Sequence, residues 1–276
     1  MTWMCQALGV STAGYYAWCA RPVSAAQRRR EALVVAIREI HAAVKGRYGS
    51  PRMAVALQEK GFFCSVNTVA KLMRDNDIRA KAPRRFVPAT TDSGHDLPVA
   101  QNILDRDFQP AGANQVWTAD ITYIPTSEGW LYLAVVEDLF SRKIVGWSMD
   151  ETMTSRLVVD ALRMALSRRC PGEGLLTHSD RGSQYASVHY QELLQRQGIT
   201  CSMSAVGQCW DNAPTESFFG TLKRELVHQQ EYATVPEAKA SIFEYIEAFY
   251  NRVRLHSSLG YVAPEVFERL HNPSHP

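Results

Sequence analysis

The apolar residues of this 276-residue chain change period near residue 116. Before residue 80 they recur every three or four positions, as on one face of a helix. From Val116 they fall into short runs. Val116–Ile124 (VWTADITYI) alternates like a half-buried strand, and Trp130–Val136 (WLYLAVV) is continuous like a central one. Lys143–Met149 (KIVGWSM) follows the tight Ser141-Arg142. Three strands so closely joined predict an antiparallel meander. The pattern then predicts a helix capped by Ser155 and running to Arg169, a strand Leu175–His178, a helix around Val188–Arg196, a strand Ile199–Met203 and a helix from near Ala213. The expected fold class of this half is therefore α/β.

The first half reads as helices. Ala32–Val44 is apolar-periodic. Pro51 suits the first turn of a helix capped by Ser50 that stops at Gly61. Ser65 is placed to cap a third, Val66–Asp75, with Thr68, Lys71 and Arg74 on an exposable face. Helix, short turn, helix with a basic second member is the helix-turn-helix plan, so these three residues are the expected DNA contacts. An earlier segment, Cys5–Trp18, repeats a helix–Gly–helix outline. Charge supports the division. Residues 1–90 carry 15 Lys and Arg against 5 Asp and Glu, and the rest 15 against 23, so +10 and −8 lie behind a net charge of only +2. Pro83, Pro88, Pro98 and Pro110 break any periodicity between the halves. The expected organisation is a helical, helix-turn-helix region over 1–80, a linker over 81–113, a catalytic core over 114–228 and a C-terminal helical extension over 229–276.

Several classes are excluded. The longest apolar run has seven residues, against the ~20 of a membrane-spanning helix. The N-terminus has no secretory pattern, so a cytoplasmic location is expected. The six cysteines lack CxxC spacing and do not pair with histidines at zinc-finger spacing. No GxxxxGK[ST] is present, which argues against ATP use.

Three carboxylates stand out. Asp120 lies inside the first strand among Trp117, Ile121 and Tyr123. Asp180 follows the fourth strand in HSDRGSQY, and Glu216 sits in the first turn of the helix opened by Asn212-Ala213-Pro214. A carboxylate in a central strand is costly unless its charge is compensated. Two Mg²⁺ ions, which take hard oxygen ligands, would do so and would serve a phosphodiester displacement. Mn²⁺ would substitute. Lys223, two helical turns beyond Glu216, shares its face and could hold a phosphate. His178, Ser179 and Asp180 are consecutive and cannot form a hydrolase relay, so His178 reads as structural. Glu137 and Asp138 read as caps of the turn to Ser141 or as metal neighbours, Asn212 as a helix cap or a DNA contact, and Tyr245, Ile246 and Phe249 as core. Asn251, Arg254 and His256 form a polar cluster that could equally face DNA.

The element order, three antiparallel strands followed by alternating helices and strands, is that of the ribonuclease-H-like fold. WTADITYI, VVEDLFSRKIVGW, HSDRGSQY, DNAPTESFFGTLKREL and YNRVRLHSSLGY together closely resemble the integrase core of bacterial insertion-sequence transposases. The resemblance covers about residues 32–270 and is to the group that encodes its transposase in two overlapping frames, this chain being similar to the second-frame, OrfB-type product. It implies a ribonuclease-H-like integrase core preceded by an all-α helix-turn-helix domain. It also implies a DDE-type transposase in which Asp120, Asp180 and Glu216 form the catalytic, metal-binding triad, with 35 residues between the last two and Lys223 as basic partner. Such a core uses water to expose a 3′-hydroxyl at the element end, then uses that hydroxyl to attack another phosphodiester. DNA (element ends and target), a homo-oligomer on DNA and the upstream-frame, OrfA-type protein are the implied partners, and a nucleoid-associated location follows. A catalytically inactive, domesticated DNA-binding protein and a nuclease without strand transfer are the rival readings.

Overall fold

The computed structural model describes residues 1–82, 98–205 and 209–271, the side chains of Cys209 and Trp210 excepted. The chain divides into two compact units between Ala80 and Lys81. The first holds five helices: α1 Thr2–Ala7, α2 Thr12–Cys19, α3 Ala25–Ala43, α4 Ser50–Glu59 and α5 Val66–Asp75. Its small core is Leu33, Ile37, Ile40, Met53, Leu57, Val69, Leu72 and Met73. The third helix begins two turns before the apolar run, because Ser24 caps it through the Gln27 N–H and the polar AAQRRR segment continues the helix. Gly49, not Ser50, occupies the N-cap of α4, which places Pro51 in the first turn. Ser65 caps α5 by accepting from the Thr68 N–H.

The second unit is built on one five-stranded sheet in the order β3-β2-β1-β4-β5. The strands are β1 Val116–Thr126, β2 Gly129–Asp138, β3 Lys143–Asp150, β4 Leu176–Ser179 and β5 Thr200–Met203. The first three form the antiparallel meander, while β4 runs parallel to β1 and β5 parallel to β4. Helices α6 Ser155–Arg169 and α7 Val188–Arg196 pack on one face over Trp117, Ala119, Ala134, Val136 and Val145. Gly146 admits the close approach of α6, since a methyl group there would collide with the backbone of Ala161 and Ala165. Thr154 holds the N-cap position of α6, so Ser155 is its first residue rather than its cap. Helix α8, Ala213–Glu225, follows β5, then α9 Val235–Phe243, a π-helical turn Glu244–Tyr250 and α10 Pro264–His271.

Residues 98–115 contain no helix or strand, yet they are bonded along the core. The Ile103 and Leu104 N–H groups donate to Ser202 Oγ, Asn102 and Arg106 bond Asp211, and Leu104 is buried. Pro and Gly removed the periodicity that would have signalled this packing. Pro83 and Pro88 lie outside the described residues. Among those described, no helix is long and apolar enough to cross a membrane.

Candidate active site

Strand register brings the first two acids together. Ala119 of β1 is paired with Ser179 at the end of β4, so Asp120 and Asp180 are the next residues on neighbouring parallel strands. Asp180 turns into a loop, where its Oδ1 accepts the Gly182 N–H at 2.9 Å. The third acid arrives on α8. Asn212 stands at the N-cap of that helix, but its side chain makes no cap. Its amide donates instead to the Ala119 carbonyl at 3.1 Å, and Thr215 Oγ1 donates to Thr118 Oγ1 at 2.7 Å. Two side chains thus fasten the first turn of α8 across the part of β1 that carries Asp120, with Glu216 next in line.

The electrostatics report the convergence. Asp120 is held well above the usual carboxylate range, first by burial and then by the negative charge of Asp180, with Glu216 adding to it and Lys223 opposing it. Burial raises Glu216 as well. Lys223 is lowered by burial and supported by the Asp120 charge, and its Nζ lies 4.8 Å from the centre of the Tyr123 ring. The charges of Asp180 and Glu216 both act to raise Asp120, and the donors offered by the three acids are all hard oxygens. Among the described residues no three His, Cys, Asp or Glu side chains are grouped to hold one ion. Mg²⁺ is commonly bound by only one or two carboxylates, with water and phosphate filling the rest, so a pair of ions shared among these acids fits the donor set.

Other residues turn out to be structural. His178 is fully buried between Ser202 and Ser204, and burial lowers it to about 4, so it is neutral. Asp138 does cap the turn, accepting from Phe140 and Asn114. Glu137 does not. It is buried at a β-bulge, pushed up to about 8 by burial, and its Oε2 has no hydrogen-bond partner. Asn251 and Arg254 are not available to DNA. Asn251 bonds both the N–H and C=O of Ile144, closing the outer edge of β3. Arg254 makes a buried bidentate pair with Glu225, which also accepts from Tyr245 Oη. Burial opposes the Arg254 charge, but that pair outweighs it and raises the guanidinium. Asn251 and Arg254 sit 107 and 29 positions from Ile144 and Glu225, and no local pattern advertises such pairs. In the first unit Thr68, Lys71 and Arg74 are all exposed, with Lys71 paired to Asp75 at 2.9 Å.

The sheet, with its order and its mixed directions, and the helices around it define an integrase-type, ribonuclease-H-like catalytic core, the architecture of a polynucleotidyl transferase. Family models described as integrase core domains match residues 110–209 and 197–264, and one described as an HTH-like domain matches residues 28–86. Transposase InsF for insertion sequence IS3A of Escherichia coli is 45% identical over 267 residues, 96% of this chain and 92% of that one. The insertion element IS600 31 kDa protein of Shigella sonnei is 44% identical over 97% of this chain and 98% of that one. The chain belongs to the insertion-sequence transposase family of InsF. Among solved structures, the HTLV-2 integrase catalytic core domain in complex with magnesium is similar over 58% of this chain and 99% of that one, at 16% identity and TM-score 0.45.

Proposed function

We propose that Asp120, Asp180 and Glu216 are the catalytic triad of this transposase and hold two Mg²⁺ ions, replaceable by Mn²⁺, at the phosphodiester to be cut. The observation that supports this reading is the Ala119–Ser179 register, which sets Asp120 and Asp180 next on neighbouring strands, together with the Asn212 and Thr215 bonds that tie the first turn of α8 to β1. When bound, the ions supply Lewis acidity at the attacking and departing oxygens. The chain's own residues do the positioning. The carboxylates fix where the scissile phosphate lies, and Lys223 holds one of its non-bridging oxygens. In the first step the oxygen of water bonds to phosphorus, the bond to the 3′ oxygen breaks, and that oxygen leaves as a 3′-hydroxyl. In the second, that hydroxyl oxygen bonds to a new phosphorus and another 3′ oxygen leaves, so strands are exchanged without a nucleotide cofactor.

The exposed Thr68, Lys71 and Arg74 of α5 are the proposed DNA contacts of the first unit. Element ends and target DNA are the proposed substrates. Assembly as a homo-oligomer on DNA, with the OrfA-type protein as partner, and action at the bacterial nucleoid in the cytoplasm complete the reading. Asp120→Asn is expected to abolish Mg²⁺-dependent cutting of element-end DNA while circular dichroism and DNA affinity stay unchanged. Cutting by that variant would remove Asp120 from the triad.

A further inference from the structure

Trp130 opens β2 with 51% of its surface exposed, although Leu131 and Leu133 on the same strand are fully buried. Its indole is held edge-to-face against Tyr123 at 5.0 Å and 85°. Such a contact fixes the ring without covering both of its faces. The Tyr123 ring in turn lies 4.8 Å from Lys223 Nζ, the ammonium that feels the Asp120 charge. A cation beside the acids and two aromatic rings leading away from them form a continuous track.

The track is built on a rigid hairpin. Thr126 Oγ1 bonds the Gly129 carbonyl across the tip, the Ser127 N–H donates to the Tyr232 carbonyl, and the Glu128 carboxylate accepts the Val235 N–H at the start of α9. The C-terminal extension therefore holds the tip at both of its central residues. A mobile surface tryptophan would need none of this.

An aromatic face next to a phosphate-binding cation is what a single-stranded nucleic acid requires, because bases stack on rings while phosphates are neutralised beside them. We infer that the Trp130 indole, braced edge-to-face by Tyr123, is a stacking platform for an unpaired nucleobase of the DNA strand whose phosphate lies at Lys223. The inference rests on the proposed active site and names the part of the DNA that the site grips outside the reacting bond.

Stacking tolerates any base, so the test needs no element-end sequence. The full chain carrying Asp120→Asn binds a duplex that ends in three unpaired nucleotides, one of them 2-aminopurine, with a fully paired duplex of equal length as control. Emission of the 2-aminopurine is expected to fall on binding. Trp130→Ala should restore the emission and weaken binding of the unpaired end about tenfold, with the paired duplex unaffected, and Trp130→Phe should recover most of the loss. The salt slope should stay the same for Trp130→Ala and drop by about one phosphate for Lys223→Ala. Quenching that survives Trp130→Ala, equal losses on paired and unpaired DNA, or no quenching in the bound parent would each overturn the platform. Failure of the active-site reading would appear separately, as cutting by the Asp120→Asn chain.

Discussion

At the scale of single residues, burial decides more than charge type. Glu137 and Asp138 are neighbours in one motif, but Asp138 has two N–H donors and the Arg169 guanidinium, whereas among the described residues Glu137 is paired with Arg142 alone, 4.0 Å away. Its folded pKa of about 8 exceeds the ordinary 4.5. The acid is protonated in both states below pH 4.5, so no stability is lost there. Between 4.5 and 8 the unfolded chain ionises while the folded one resists, and stability falls as pH rises through that window. Glu137→Gln, which imitates the protonated form, is expected to flatten this fall by a few kcal/mol, raising the melting temperature at pH 8 more than at pH 5. Equal shifts at both pH values would show that the carboxyl does not titrate there.

At the scale of elements, the meander and α7 were legible because each depends on local pattern. The helix expected around Val188–Arg196 covers those residues, and Ser187 caps it through the Tyr190 N–H. Asp120 stands out in the sequence because it interrupts an apolar run, whereas Asp180 and Glu216 stand out through the motifs HSDRGSQY and DNAPTESFFGTLKREL. Polar residues that serve packing do not. YNRVRLHSS looks like a DNA-facing cluster in sequence, but Asn251 and Arg254 lie 3% and 2% exposed. Their partners, Ile144 and Glu225, belong to β3 and α8, and only the fold brings them close. Arg254 ties the extension to the helix that bears Glu216 and Lys223. Arg254→Met strips the buried Glu225 carboxylate of its bidentate partner, leaving the looser Arg224 contact at 3.8 Å, and is expected to cost about 3 kcal/mol in urea unfolding. Adding Glu225→Leu should return much of that loss, because the pair is worth less than the penalty of breaking it.

At the scale of the whole molecule, the charge asymmetry matches a division of labour between units, one basic and helical, the other acidic and built on a sheet. Lys71→Ala with Arg74→Ala is expected to weaken DNA binding and reduce its salt slope by about two, while cutting at saturating DNA is retained. An unchanged slope would remove α5 from the interface. The sheet carries a further consequence. Strand β4 has only four residues and its pairing with β1 ends at Ala119. Strand length acts here as a ruler, because each extra paired residue would carry Asp180 about 3.3 Å further along β1. One added residue within 176–179 is therefore expected to silence strand cutting with every acidic side chain intact, since the proposed triad is spaced by backbone count rather than by side-chain chemistry.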